Sequence, residues 1–204
     1  MNNHNWNLYR QQFPVRYWEE GLFDKNLAIQ LNMLSQPIKN GLDVGCGVLG
    51  TLTLKDFAIK NNISVDMLDP YVDNKPDWMN DKITWDSNNK YDLIIARGSI
   101  NYLTPEQMRK LESMLNKNGI LMANTFLTAP SKEWSERETK NASGEIGVEK
   151  SRLVGNVVEH RIIFKEYDIS HNFYYYSENN YKEVFKNIEF ITYAKNSTLI
   201  MVKK

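Results

Sequence analysis

A single cysteine, Cys46, stands in 204 residues, so no disulfide can form within the chain. Neither sign of charge is in excess: Lys plus Arg and Asp plus Glu each total 25, and no Lys/Arg-rich run stands out. A broad nucleic-acid-binding surface is therefore not expected. Long hydrophobic runs are missing as well, because even the strand-like stretches are broken by Asp, Lys or Asn, and none approaches the length that crosses a bilayer. The opening M-N-N-H-N-W-N lacks the basic and apolar regions of a secretory signal. These absences give the expectation of a soluble, cytoplasmic protein with no membrane partner and no broad nucleic-acid surface, a local groove for nucleic acid staying open. Internal repeats and low-complexity tracts are also missing, and the length suits one α/β domain over 1–204 with appendages.

What is present begins with a glycine loop. G-L-D-V-G-C-G-V-L-G, Gly41 to Gly50, places Gly45, Gly47 and Gly50 at G-x-G-x-x-G spacing. Such glycines let a strand turn sharply into a helix whose unpaired N–H groups can approach a ligand. Around the loop, strand and helix patterns alternate. Strands are expected into Val44, over Ile63–Asp69, around Ile83–Trp85, over Tyr91–Arg97 and from Gly119 to Leu127. The intervening helix after the loop has the apolar face Leu54, Phe57 and Ala58. A second helix opens at T-P-E-Q, where Thr104 caps, Pro105 suits the first turn and Gln107 completes a capping box; Gly119 is its expected stop. Before the sheet, Leu27, Leu31 and Leu34 mark an amphipathic helix within Tyr17–Ser35, and a shorter helix ends near Pro14.

Alternation of this kind implies a parallel sheet with helices on both faces and a ligand beyond the C-terminal strand ends. After the fifth strand the pattern changes. Residues 130–151 read as a polar, exposed insertion, and Gly155-Asn156 as a tight hairpin turn between two apolar runs. The tail offers a strand-like H-N-F-Y-Y-Y, a helix from about Ser177 to Lys186, and two strands separated by Lys195-Asn196. The expected divisions are a helical cap at 1–36, a cofactor-binding core at 37–127, an insertion or flap at 128–165 and the rest of the sheet at 166–204.

Asp43 separates the ligands that such a loop can hold. A carboxylate two positions before Gly45 repels a pyrophosphate but accepts hydrogen bonds from an ammonium group. A nicotinamide oxidoreductase explains the glycines and leaves Asp43 unexplained. With L-D-V-G-C-G, Asp69 at the second strand end and Trp85-Asp86 after the third, the sequence resembles the class I S-adenosylmethionine-dependent methyltransferases. The run R-G-S-I-N-Y-L-T-P-E-Q and the tail Y-Y-S-E-N-N-Y-K-E-V-F-K-N-I-E-F are similar to small-molecule members of that family. The third glycine departs from the family pattern, since Leu49 stands where it often lies and Gly50 follows one later.

The resemblance implies a doubly wound, Rossmann-like sheet of seven strands, mostly parallel with an antiparallel last strand. It also implies S-adenosylmethionine as the cofactor, S-adenosylhomocysteine as the product, and no metal. Asp43, Gly45, Cys46 and Gly47 would line its methionine part, Asp69 beside Pro70 would take the ribose hydroxyls, and Asp86 the adenine amino group, with Trp85 or Leu68 on the ring. Arg97, Gly98 and Tyr102 would border the sulfonium. A small-molecule acceptor would meet Ser99, Asn101, Tyr174 and the N-terminal aromatics Trp6, Tyr9, Tyr17 and Trp18. The insertion around Trp134 would be a lid. His171 is the candidate general base, and Tyr102 a second catalytic candidate; an ordinary strand histidine and core aromatics explain the same residues equally well. The loop after the fourth strand reads Arg97-Gly98-Ser99-Ile100, which lacks the Asp/Asn-Pro-Pro-Tyr/Phe run of nucleobase amino-methylation. A monomer or homodimer is expected. A non-catalytic cofactor-binding module and an RNA or protein methyltransferase remain as alternatives.

Overall fold

The computed structural model describes residues 22–125, 127–141, 143–166, 168–194 and 197–204. Tyr9, Tyr17, Trp18, Trp6 and the expected first short helix lie outside the described residues. Among those described, no helix is long and apolar enough to cross a membrane.

The main sheet has six strands in the order β2-β1-β3-β4-β10-β9. They are β1 (Asn40–Val44), β2 (Ser64–Leu68), β3 (Tyr91–Ala96), β4 (Leu115–Thr125), β9 (Ile188–Ala194) and β10 (Ser197–Lys203). β1 runs parallel to β2 and β3, and β3 parallel to β4. β10 is antiparallel to both β4 and β9, as expected of the last strand. Residues alternate between two cores, as the pleat demands. Leu42, Val44, Ile94, Ala96, Leu121, Ala123, Ile200 and Val202 meet helices α3 (Pro105–Met114) and α4 (Glu178–Val184) on one face. Leu93, Ile95, Ile120, Met122, Leu199 and Met201 meet α1 (Leu22–Asn32) and α2 (Leu52–Asn61) on the other. Helices thus cover both faces, and Leu27 and Leu31 of α1 are buried as the spacing predicts.

The expected third strand is corrected to one bridge. Lys82 pairs parallel with Met67 at the outer edge of β2, held by bonds from the Met67 N–H to the Asp81 carbonyl (2.7 Å) and the Ile83 N–H to the Met67 carbonyl (2.8 Å). The pairing stops there because a turn begins at Thr84. The Ser87 N–H donates to the Thr84 carbonyl, and the Thr84 hydroxyl donates to Asp86. Among the described residues the sheet therefore has six strands rather than seven. The fifth expected strand starts earlier than Gly119: β4 begins at Leu115, directly after α3, and bulges over 116–119. Tyr91 pairs with Leu115 while Leu93 pairs with Ile120, and Asn118 takes φ 69° in the bulge. The expected capping box of Thr104 and Gln107 closes on α3, but the helix stops at Met114 rather than at Gly119 because the chain passes directly into β4, and Ser177 and Asn180 close a second box on α4 that the sequence did not mark.

The insertion is itself a sheet. Strands β5 (Ser135–Lys140), β6 (Ile146–Val154), β7 (Val157–Ile163) and β8 (Asp168–Tyr174) form an antiparallel meander in chain order. Gly155 with φ 63° makes the expected hairpin, with Val154 paired to Val157. The run containing His171 to Tyr174 belongs to this second sheet, which corrects its expected place in the main one. One face of the meander carries cross-strand ion pairs, Lys150–Glu136, Arg152–Glu159 and Arg161–Asp168. The opposite face buries Val158, Ile162 and Ile169.

Gly119 supports the bulge by its lack of a side chain. An added Cβ would stand 2.9 Å from the Tyr91 carbonyl and 3.0 Å from Asn116 backbone atoms. Gly119→Ala is expected to cost about 1–3 kcal/mol of stability, read as a fall in the urea midpoint at constant slope; an unchanged midpoint would contradict this packing.

Candidate active site at the C-terminal strand ends

The sharp exits from β1, β2 and β3 gather on one edge of the main sheet. Asp43, in β1, is fully buried. Its two oxygens accept from the Thr51 N–H (2.7 Å) and the Thr51 hydroxyl (2.9 Å). Thr51 is the N-cap residue of α2, so the carboxylate ties the end of the strand to the start of the helix across the loop. Gly45, Gly47 and Gly50 all take positive φ, at 64°, 70° and 73°. These values are open to glycine without steric cost. A Cβ on Gly45 would meet Ser99 Cβ at 2.5 Å, and one on Gly50 would meet the Trp78 ring at 2.4 Å. The late third glycine thus serves a contact with Trp78, whose indole N–H donates to the Leu49 carbonyl at 3.0 Å.

Asp69 couples the loop to β2. It is 3 % exposed, and its oxygens accept from the Gly47 N–H (2.8 Å) and the Tyr71 N–H (2.9 Å). A carboxylate can accept about four hydrogen bonds, so capacity remains on both oxygens. Cys46 is buried against Met67, Val72 and Met79. Pro70 is exposed at the turn. A groove of about 660 Å³ abuts the loop, lined by Val48, Leu49, Leu52, Tyr71 and Trp78 among others.

The loop after β3 closes the other side. The Ser99 hydroxyl donates to the Val44 carbonyl at 2.5 Å. The Gly98 N–H donates to Asn124, and at φ 68° no atom of the described residues lies within 4 Å of where its Cβ would stand. Arg97 turns its guanidinium toward α1. It forms a bidentate pair with Asp24 of α1, at 2.8 and 2.6 Å, because a carboxylate that is 6 % exposed requires a charge partner. Trp85 packs partly buried against the first core, and Asp86 is exposed. The Thr84 hydrogen bond holds the Asp86 carboxyl below its usual range. Leu68 is a core residue.

The second sheet leans on this edge. The Asn101 side-chain amide donates to the Tyr174 carbonyl at 3.0 Å, and the rings of Tyr102 and Phe173 lie 5.9 Å apart. The ring of Tyr174 lies 5.8 Å from that of Tyr176, tilted by 40°. Trp134 sits under Arg152 at 4.6 Å on the meander. His171 pairs in register with His160, and its side chain lies outside the described residues. The sequence reading missed three contributors here: Asp24, Phe173 and the pair His160–Glu149, whose atoms approach to 2.8 Å. Their partners are 73, 71 and 11 positions away in the chain respectively, so no local pattern marked them.

Burial outweighs the Thr51 hydrogen bonds and the nearby Arg97 charge, and lifts the Asp43 carboxyl from 3.8 to about 7. Between those values the folded chain holds a proton that the unfolded chain has lost. The stabilisation is complete below pH 3.8 and is lost as pH rises through about 7. Relative to Asp43→Asn, the wild type is expected to lose up to about 4 kcal/mol across that window, followed by urea unfolding at several pH values. Parallel stability curves for the two proteins would contradict it.

A methyltransferase-domain family model matches residues 17–191. No curated protein is significantly similar in sequence. Among solved structures, the PH0226 protein of Pyrococcus horikoshii OT3 is similar with TM-score 0.62 at 11 % identity, covering 96 % of this chain and 97 % of that one. The 1,6-didemethyltoxoflavin-N1-methyltransferase of Burkholderia thailandensis, bound to 1,6-didemethyltoxoflavin and S-adenosylhomocysteine, has TM-score 0.58 at 11 % identity, over 99 % and 87 %. The N-methyltransferase NodS of Bradyrhizobium japonicum WM9, in complex with S-adenosylhomocysteine, has TM-score 0.53 at 13 % identity, over 100 % and 99 %. The glycine loop, the acidic strand ends and the antiparallel last strand thus accompany a family match over most of the sequence, and the chain belongs to the methyltransferase-domain family.

Proposed function

We propose that the chain transfers a methyl group from S-adenosylmethionine to a small-molecule acceptor. The observation that carries the reading is the pair of buried carboxylates, Asp43 and Asp69, on either side of a glycine turn. Negative charge at this loop disfavours a pyrophosphate and suits a ligand bearing an ammonium, a sulfonium and vicinal hydroxyls. The opening at Gly98 supports the fit, because a ligand can occupy the space that a Cβ there would fill. Two structurally similar proteins hold S-adenosylhomocysteine, one of them beside a small heterocycle.

In this reading Asp69 receives the ribose hydroxyls on its remaining lone pairs while its bond to Gly47 keeps the loop shut. Gly45 and Gly47 let the backbone approach the methionine part, and Asp43 supplies the charge behind them. Asp86 and Trp85 lie past the bridge at Lys82, where the adenine would be met. When bound, the cofactor supplies an electrophilic methyl carbon on a positively charged sulfur. Tyr102, Ser99 and Asn101 fix the opposite wall, and the second sheet over them excludes water and orients the acceptor, which is how such a displacement is chiefly accelerated.

Calorimetric titration with S-adenosylhomocysteine, with NAD as the control, tests the reading. Saturable binding of the first ligand alone is expected, weakened roughly 10- to 100-fold by Asp69→Asn through loss of charge-assisted hydrogen bonds. Binding of NAD in its place would overturn the ligand assignment.

A further inference from the structure

The ion pair between Arg97 and Asp24 leaves part of a guanidinium unused beside the glycine turn. Across the main sheet Asp43 of β1, Ile95 of β3 and Met122 of β4 stand in register. Two residues further along come Gly45, Arg97 and Asn124, and a step of two along a strand returns to the same face. That face is the one on which Ile95 and Met122 meet α1 and α2. Arg97 therefore emerges next to Gly45, and a Cβ on Gly45 would stand 2.5 Å from Ser99 Cβ in the same loop as Arg97. Burial raises the Asp43 carboxyl most, and the guanidinium charge of Arg97 works against it, as a cation close to the turn does.

A guanidinium carries five N–H donors in a planar array. Asp24 takes one on Nε at 2.8 Å and one on Nη2 at 2.6 Å. Among the described residues no hydrogen bond occupies the other three, on Nη1 and Nη2, which make a second fork. The Thr53 hydroxyl of α2 holds Asp24 from behind at 3.3 Å. The Asp24 side chain is 7 % exposed against 22 % for Arg97, so the open side of the pair belongs to the guanidinium. Other groups at these strand ends do not suit an anion. Asp43 and Asp69 repel one, residues 45–51 carry no charge, and Lys75 and Lys82 after β2 donate to the Met79 and Val72 carbonyls at 2.6 and 2.5 Å.

We propose that Arg97 receives the α-carboxylate of the methyl donor on its second fork, that Asp24 is its positioning residue, and that the site thereby selects a donor with an intact amino-acid end. This inference rests on the methyl-transfer reading. A guanidinium meets a carboxylate through two parallel hydrogen bonds. It can serve two carboxylates in one plane, which the point charge of a lysine cannot. The donor's amino-acid end is a zwitterion, so its ammonium suits the acidic strand ends and its carboxylate suits Arg97. Holding both poles fixes the sulfur relative to the acceptor, which is the alignment that an in-line displacement requires.

Calorimetry on the full chain compares two ligands that differ by that carboxylate alone, S-adenosylhomocysteine and its decarboxylated analogue S-adenosyl-3-thiopropylamine. The wild type is expected to bind the first about 10- to 100-fold more tightly. Arg97→Gln alone leaves Asp24 buried without its partner, so it is combined with Asp24→Asn, and a cooperative melt shows that the double variant folds. That variant should bind the two ligands within about twofold of each other, and Asp24→Asn alone should lose part of the preference. A pair that merely joins α1 to the loop would, on removal, lower both affinities and leave their ratio unchanged. That result would overturn the proposal, as would equal binding of the two ligands by the wild type. Should the double variant fail to fold, Arg97→Lys gives the same decision, since the ratio drops several-fold if the fork reads the carboxylate and persists if it does not. If neither ligand binds the wild type, the methyl-donor reading falls together with this inference; equal binding of both removes the inference alone.

Discussion

The buried carboxylate of Asp43 is the constraint on which the site depends. With both oxygens on Thr51, it fixes where β1 ends and α2 begins. Between those points the chain turns through three glycines at positive φ. The fixed turn then presents the Gly47 N–H to Asp69 and brings Gly45 against Ser99. One buried charge therefore sets the relative positions of three strand ends. Its cost is the desolvation that lifts its own pKa to about 7.

A second set of contacts joins this edge to the added sheet. Asn101 to Tyr174, and Tyr102 to Phe173, connect the loop after β3 to β8. The Tyr175 hydroxyl adds a bond to the Leu127 carbonyl at 2.8 Å, just beyond β4. The meander so anchored carries Lys150–Glu136, Arg152–Glu159 and Arg161–Asp168 on one face and turns Val158, Ile162, Ile169 and Glu149, with its partners Arg137 and His160, to the other.

Much of this was legible in the sequence. The glycine loop, the buried strand from Tyr91, the Thr104–Gln107 capping box and the Gly155-Asn156 hairpin were all marked by local chemistry that tertiary packing did not override. The failures had physical causes. Ile83–Trp85 has strand residues, but Asp86 pulls Thr84 into a turn and leaves one bridge. The polar run 135–140 pairs as β5 because its charges meet partners across the strands, such as Arg137 with Glu149, a pattern invisible along the chain. Arg97 was read at its strand end, but its pairing with the buried Asp24 of α1 was not legible, because the two lie 73 positions apart.

The central claim is that the three strand ends around Asp43 form one methyl-donor site. Backbone amide NMR of the labelled protein during addition of S-adenosylhomocysteine tests it directly. The account predicts that shifts cluster at Gly45–Gly47, at Asp69 and Tyr71, and at Gly98–Tyr102. Shifts confined to the outer faces of the sheets, or their absence at a saturating concentration, would contradict it.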